Sequence, residues 1–158
     1  MSKTAGHGVD KAVDSIHKRL TDYAFEMRYE DLSPEAIRAA KMRVIDTLGA
    51  LIGGFFGDSC RIVRNLAAQM PNPDGATIIG TRMKTTPDMA AFVNAITSCH
   101  ADMTDAYHWP GSSHGHPSNM LPSILAAAEY ARASGRDFIT SVVVAYEYYI
   151  RFADVCHN

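Results

Sequence analysis

The chain has 158 residues, of which 47% are hydrophobic and 20% charged, a composition typical of a folded globular domain and unlike that of disordered chains. Its 15 basic and 17 acidic residues give a net charge of −2, which argues against a nucleic-acid partner. The longest apolar segment, residues 47–57, includes four glycines. It is too short to span a membrane, which takes about 18 residues.

The cysteines and the N-terminus give an expectation about the compartment. Cys60, Cys99 and Cys156 form no Cys-x-x-Cys pair, which argues against a disulfide framework and a thiolate zinc site. Residues 1–9 lack the apolar segment of a secretory signal, and we expect them to form a flexible tail before one domain over residues 10–158. A reducing compartment fits these features, with the cytoplasm as the default.

Apolar spacing predicts two helices at the start of the chain. Apolar residues recur every three or four positions over residues 9–28, which predicts a first amphipathic helix. Ser33 followed by Pro34 is typical of an N-cap with proline at the first helical position, so a second helix begins there. Its C-terminal half is apolar, and we expect another helix to approach closely at Gly49, Gly53 and Gly54.

The next segment combines a third helix with one extended stretch. The helix covers residues 58–70, and a turn at residues 71–75 ends it. The apolar residues on one side of this helix are Ile62, Val63, Leu66 and Met70. Residues 76–80 are rich in β-branched side chains and predict one short strand or connector, which forms no sheet by itself.

The second half of the chain predicts three more helices. Thr86 caps a fourth helix that continues to about residue 101, and residues 117–132 form a fifth, which Gly135 ends. Residues 138–153 have strand propensity, but their length and apolar spacing favour a helix. The sequence therefore predicts an all-α domain of several helices with at most one short strand.

Between the fourth and fifth helices lies a cluster of titratable residues. Four of the seven histidines fall between positions 100 and 116, together with Asp102 and Asp105. Histidine titrates near neutral pH, and a neighbouring carboxylate can orient the ring or act as the base itself. The cluster indicates acid–base chemistry, and the structural alternative is a polar loop that merely contains several histidines.

A metal site is a second interpretation of the same loop. His114 and His116, together with His108 and either Asp102 or Asp105, offer enough nitrogen and oxygen ligands for zinc. Their spacing differs from that of the helical His-Glu-x-x-His motif. A metal-binding module therefore stays open as an alternative.

Several short motifs, in the same order and with similar spacing, resemble the MmgE/PrpD family over roughly residues 10–155. They are Val-Ile-Asp-Thr-Leu-Gly at 44–49, Gly-Ala-Thr-Ile-Ile-Gly at 75–80, Ala-Phe-Val-Asn at 91–94, Asp102 with Asp105, Gly-His-Pro-Ser-Asn at 115–119, and Tyr-Glu-x-x-Ile-Arg at 146–151. This family includes 2-methylcitrate dehydratase, cis-aconitate decarboxylase and an iminodisuccinate epimerase.

The resemblance implies a fold and a reaction. It implies a helical domain whose pocket a smaller C-terminal domain closes, and removal of a proton next to a carboxylate of a small di- or tricarboxylate without metal or organic cofactor. By position, it implies Asp102 as the base or as the residue that orients the base. His116 would be the acid or a donor to a substrate carboxylate. The substrate-binding candidates are Asp105, His108, His114 and Ser118.

Two departures from the family affect this expectation. Ala106 stands where the family has a threonine, which leaves the substrate's identity open, and family members are much longer than this chain. We see no lysine or arginine beside the loop, because a helix separates Arg82 and Lys84 from it. Buried carboxylates need cationic partners. We therefore expect a lyase of the dehydratase or decarboxylase type that a second polypeptide completes.

Alternatives to a lyase remain at this point. The chain would be a non-catalytic scaffold if the histidines are remnants, and an epimerase or isomerase if the proton returns to the substrate. We also expect exposed apolar surface from residues 48–56 and 146–152, and hence a homo- or hetero-oligomer.

Overall fold

The computed structural model describes residues 11–111 and 115–156 of the chain. Within these ranges, six α-helices and a two-stranded sheet confirm the predicted, mainly helical domain. The elements, in chain order, are α1 (Lys11–Glu26), α2 (Pro34–Gly54), α3 (Asp58–Ala67), β1 (Pro71–Thr77), β2 (Lys84–Thr85), α4 (Pro87–Cys99), α5 (Leu121–Tyr130) and α6 (Gly135–Val155), with 3-10 turns at Tyr29–Asp31 and Pro117–Met120. The predicted tail, residues 1–9, lies outside the described residues.

Side-chain caps determine where α2 and α6 begin. Ser33 Oγ accepts a hydrogen bond from the Ala36 amide (3.2 Å), as its position before a proline predicted. At α6, Ser134 Oγ accepts from the Asp137 amide (3.2 Å), and the Asp137 carboxylate accepts from the Ser134 amide (3.1 Å). Gly135 is therefore the first residue of α6, and the prediction that it ends the preceding helix is wrong.

Proline determines how the fifth predicted helix begins. Pro122 has no N–H group, so it cannot donate the α-helical hydrogen bond to the Ser118 carbonyl. The Leu121 amide donates to that carbonyl instead, and Pro117–Met120 form a 3-10 turn ahead of α5. The helix predicted over residues 117–132 is thus a tight turn followed by a shorter α-helix.

A second strand, absent from the prediction, pairs with the first. Ala76 lies opposite Thr85 and Thr77 opposite Lys84 in an antiparallel hairpin. The prediction of a turn at residues 71–75 and of no sheet is wrong, because β1 begins at Pro71. β2 has only two residues, too few to show the alternation of polar and apolar side chains by which a strand is recognised.

Helix α4 packs against α2, α3 and α5 and so lies at the centre of the domain. Gly54 lets α2 approach α4 closely, since a Cβ atom there would overlap the Thr97 carbonyl oxygen. The expectation of close approach is right for Gly54 and wrong for Gly49, which has nothing within 4 Å of its Cβ position. Among the described residues, three buried apolar clusters form the core: one of Ala40, Leu121, Ile139 and Val142, one of Ala67, Ile78 and Val93, and one of Ala76, Ala90 and Ala126.

Large apolar side chains are exposed in both segments for which this was predicted, residues 48–56 and 146–152. Ile52 is 73% and Phe152 50% exposed. On the apolar side of α3, Ile62 is 64% and Leu66 46% exposed. None of the helices in the described ranges is both long and apolar enough to cross a bilayer.

Candidate functional site

The histidine-rich loop between α4 and the 3-10 turn is closed at its base. The Tyr107 amide donates to the Gly115 carbonyl at 2.7 Å, and the Gly115 amide donates back at 3.3 Å. A Cβ atom at Gly115 would overlap the Tyr149 hydroxyl of α6, so a larger residue there would displace the end of that side chain. The base of the loop therefore lies directly against α6.

Asp105 is the most buried carboxylate of this loop, with a side chain only 7% exposed. Its Oδ1 accepts a hydrogen bond from the Ser118 amide at 3.0 Å, and its Oδ2 accepts one from the Tyr146 hydroxyl at 2.8 Å. The Arg43 Nε atom lies 4.0 Å from Oδ2. These contacts compensate for burying a charge. The structure therefore engages both oxygens of Asp105, a predicted substrate-binding residue, within the protein.

The backbone carbonyl of Asp105 contacts the imidazole ring of His116. The His116 Nδ1 atom lies 2.5 Å from the Asp105 carbonyl oxygen and 3.4 Å from Thr104 Oγ1. A carbonyl oxygen only accepts hydrogen bonds, so Nδ1 carries the hydrogen. In the neutral ring the lone pair then lies on Nε2. The structure thus brings together His116 and Asp105 and sets the orientation of the imidazole.

Asp102, the predicted partner of His116, has a different environment. It is exposed, its backbone is left-handed (φ 51°), and its amide donates to the Cys99 carbonyl at 3.1 Å. In the described part of the chain, no hydrogen bond or ion pair joins the Asp102 and His116 side chains. The Asp102 carboxylate lies at the surface of the loop.

The remaining candidates differ in their accessibility. His108 is exposed, whereas Ser118 is 1% exposed and its Oγ has no hydrogen-bond partner among the described residues. His114 lies outside the described residues. His100 Nδ1 lies 3.1 Å from Ser59 Oγ, so this histidine contacts α3 and takes no part in the contacts of His116 described above.

A cavity of about 280 Å³ adjoins this network between α2 and α6. Arg43 lines it, together with Asp105 and Tyr146. The expectation that no lysine or arginine lies near the loop is therefore wrong. Arg43 directly precedes the motif at residues 44–49, and the helical fold, which brings α2 against the loop, makes it a neighbour of Asp105.

Tyrosines of α6 are the second feature that the sequence interpretation missed. Burial, together with the hydrogen bond to Asp105, raises the pKa of Tyr146 well above its usual value. A tyrosine hydroxyl is protonated at neutral pH, so it is present as the donor. The Tyr107 hydroxyl of the loop donates to Asp154 Oδ1 at 2.6 Å. This hydrogen bond raises the pKa of Tyr107. The sequence signal was the Tyr-Glu motif beginning at residue 146, which carried the family resemblance but was not linked to the loop.

The described residues form no cluster that fits the metal-site interpretation. Within residues 11–111 and 115–156, no group of three or more His, Cys, Asp or Glu side chains is placed to hold a metal ion. His116 Nδ1 is also engaged by a carbonyl oxygen. Acid–base chemistry at Nε2 is what this arrangement of His116 allows.

Comparison with known proteins supports the motif resemblance. The family profile described as MmgE/PrpD N-terminal domain matches residues 18–158. The 2-methylcitrate dehydratase of Cupriavidus necator is 31% identical over 138 residues, which cover 83% of this chain and 27% of that protein. The mitochondrial 2-methylcitrate dehydratase of Yarrowia lipolytica is 28% identical, with 86% and 25% covered. The 2-methylcitrate dehydratase of Escherichia coli K12 is 30% identical, with 81% and 28% covered. The chain spans about a quarter of the length of these curated relatives.

Proposed function

The chain belongs to the MmgE/PrpD family, and from this premise we propose that it is part of a lyase that dehydrates a small di- or tricarboxylate. The relatives quoted above are named 2-methylcitrate dehydratase, which favours loss of water over loss of carbon dioxide. The observation that carries the proposal is the hydrogen bond from His116 Nδ1 to the Asp105 carbonyl. It leaves Nε2 for proton transfer.

We assign the two proton steps to Asp102 and His116. The exposed Asp102 carboxylate takes the proton from the carbon next to a substrate carboxylate, and the electron pair of that C–H bond forms the carbon–carbon double bond. His116, protonated on Nε2, gives this proton to the departing hydroxyl, which leaves as water. The Nδ1 hydrogen bond persists in both protonation states, so the ring keeps its place while Nε2 loses the proton. Both steps use side chains alone, without metal or organic cofactor.

Substrate charge indicates that this chain holds only part of the site. A di- or tricarboxylate brings two or three negative charges, and their burial requires cationic partners. Among the described residues, Arg43 is the one cation that lines the cavity beside the loop. We propose that a second polypeptide, carrying the part of the family fold that this chain does not cover, supplies the remaining cations and forms an oligomer with it.

The test is an activity assay on the completed assembly. The chain is purified with and without a polypeptide that carries the remaining part of the family fold, and each sample is given 2-methylcitrate, citrate and other di- and tricarboxylates. We expect water loss, seen as double-bond absorbance, only with both components. Asp102→Ala and His116→Ala should abolish it, whereas His17→Ala, an exposed histidine of α1, should not.

Three outcomes would contradict the proposal. Absence of turnover by the completed assembly on every substrate would exclude this lyase activity, and substrate binding without turnover would favour a non-catalytic scaffold. Full activity of Asp102→Ala and His116→Ala would show that other residues carry out the proton transfers.

A further inference from the structure

We propose that Tyr146 is a positioning residue, which acts through Asp105 to hold His116 in the form with hydrogen on Nδ1. The relevance of this form to catalysis rests on the proposed function, but the form itself is a property of the folded chain. No relation between Tyr146 and the loop followed from the sequence, where Tyr146 was only the first residue of the motif at residues 146–151.

A short path of hydrogen bonds connects Tyr146 to His116. The Tyr146 hydroxyl donates to Asp105 Oδ2 at 2.8 Å, and the carbonyl of the same aspartate accepts from His116 Nδ1 at 2.5 Å. Asp105 Oδ1 accepts from the Ser118 amide at 3.0 Å. Asp105 therefore holds the chain at His116 and again two residues later, on both sides of Pro117, whose own φ angle is fixed by its ring.

Tyr146 provides the hydrogen bond that holds the Oδ2 atom of Asp105, whereas the Ser118 amide holds Oδ1. Asp105 is 7% exposed, and its other neighbour at Oδ2, the Arg43 Nε atom, lies 4.0 Å away, beyond hydrogen-bond distance. A tyrosine hydroxyl is protonated across the neutral pH range, and the pKa of Tyr146 is raised further, so the donor is present. Without it, Oδ2 has no direct hydrogen bond among the described residues.

The other loop contacts of α6 do not reach Asp105. Tyr149 touches Gly115, and Asp154 accepts from Tyr107, so both act on the base of the loop. Tyr148 lies on a different side of the helix, where its hydroxyl donates to the Leu20 carbonyl of α1. Tyr148 is therefore a matched control, because loss of its hydroxyl removes one partly buried hydrogen bond from α6, as Tyr146→Phe does, without affecting Asp105.

The experiment measures the tautomer of His116 directly. In the ¹⁵N-labelled chain, long-range ¹H–¹⁵N spectra of the imidazole distinguish hydrogen on Nδ1 from hydrogen on Nε2. We expect the neutral His116 ring of the wild type to carry its hydrogen on Nδ1. In Tyr146→Phe we expect the Nε2–H form to become the major one, because the freed carboxylate releases the Asp105 backbone. Tyr148→Phe should keep the wild-type spectrum.

A second variant covers the case in which Tyr146→Phe does not fold. In Asp105→Asn, an NH2 group, which donates and does not accept, replaces one of the two oxygens that face the Ser118 amide and the Tyr146 hydroxyl, so we expect the same change of tautomer. The proposal is overturned if the wild-type ring carries its hydrogen on Nε2. It is also overturned if the folded variants retain the Nδ1–H form, or if Tyr148→Phe loses it to the same extent.

Activity gives an independent readout once the assembly is complete. We expect Tyr146→Phe to lower kcat with little change in KM, and Tyr148→Phe to leave both unchanged. If the assembly has no lyase activity but the tautomer changes as described, the proposed function fails and the positioning role stands. If the assembly is active and the tautomer does not respond to Tyr146, the positioning role fails alone.

Discussion

Two carboxylates in this domain, the partly exposed Glu129 and the buried side chain of Asp105, are held by similar donors but have different neighbours. Glu129 on α5 accepts from the Thr77 amide (2.7 Å) and the Thr77 hydroxyl (2.6 Å), and it forms an ion pair with Lys84 Nζ at 2.9 Å. Asp105 also accepts from one amide and one hydroxyl, but its nearest cation, the Arg43 Nε atom, is 4.0 Å away.

The two carboxylates differ in which elements of the fold they hold together. Glu129 joins the β1–β2 hairpin to α5, and the direct ion pair with Lys84 compensates its charge. Asp105 joins α6 to the histidine-rich loop, and its backbone carbonyl accepts a hydrogen bond from His116 Nδ1. Asp105 also lines a cavity. One arrangement stabilises the fold, whereas the other also orients a group capable of proton transfer. The predictions below separate these two roles.

The largest expected effect is on the chemistry of the loop. His116→Ala should lower kcat/KM of the completed assembly by about 10²- to 10⁴-fold, the usual contribution of a general acid or base. Glu129→Gln, at the structural carboxylate, should keep kcat/KM near the wild-type value under conditions where the variant is folded. Steady-state kinetics with each variant checks the contrast, and an equal loss in both would erase the distinction between the two clusters.

Removal of the Asp105 carboxylate should have the next largest effect, this time on stability. Asp105→Ala leaves the Ser118 amide and the Tyr146 hydroxyl without their acceptor, at a cost of about 3 kcal/mol in the free energy of unfolding. Asp102→Asn, a change at the exposed aspartate, should stay within about 0.5 kcal/mol. Urea unfolding followed by circular dichroism measures both, and similar values for the two variants would contradict the assignment.

Glu129→Gln should cost about 2 kcal/mol, because the amide loses the ion pair with Lys84 and one of the two hydrogen bonds from Thr77. The control is Glu26→Gln at the exposed end of α1, which should change stability by less than about 0.5 kcal/mol. If thermal unfolding shows no difference between these variants, Glu129 does not stabilise the hairpin.

The Glu129 contribution should depend on pH. Burial raises the pKa of Glu129, but the hydrogen bonds from Thr77 and the pairing with Lys84 outweigh burial and bring it below its usual value. In the unfolded chain the pKa of the glutamate is about 4.3. Between the folded and the unfolded pKa values, the unfolded chain therefore binds more protons than the folded chain. The stabilisation is complete above the unfolded value and is lost as the pH falls through the folded value. Unfolding curves of wild type and Glu129→Gln should therefore converge in acid, and a constant difference at every pH would contradict this.

The smallest expected effect comes from a cap distant from both carboxylates. Ser134→Ala removes the hydroxyl that accepts from the Asp137 amide at the start of α6, which should cost about 1 kcal/mol. The His116 tautomer should not change, since the cap lies more than two turns from Tyr146 along the helix. A change in the imidazole spectrum would show that any weakening of α6 affects the loop, and that Tyr146 has no special part.

The sequence predicted the helices well where local chemistry decides the structure. Ser33 before Pro34 located the start of α2, and apolar spacing identified α6 despite its β-branched residues. Gly135 was misplaced because the capping box of Ser134 and Asp137 competes with the use of glycine as a helix terminator. The second strand was missed because its pairing depends on a partner rather than on its own two residues.

The candidate site was predicted only in part, because its contacts join distant elements. Histidine clustering identified the loop, and motif order gave the family. The hydrogen bond of Asp105 with Tyr146 and its proximity to Arg43 link residues far apart in sequence, and no local spacing encodes them. The assignment of Asp102 as the base stays a prediction.

Hydrogen exchange at the substrate tests the central claim most directly. A substrate deuterated at the carbon next to a carboxylate is given to the completed assembly, and release of deuterium into the solvent is followed by NMR. We predict release by the wild type and none by Asp102→Ala. Loss of water from the substrate with the deuterium retained, or equal release by both proteins, would contradict proton abstraction by this loop.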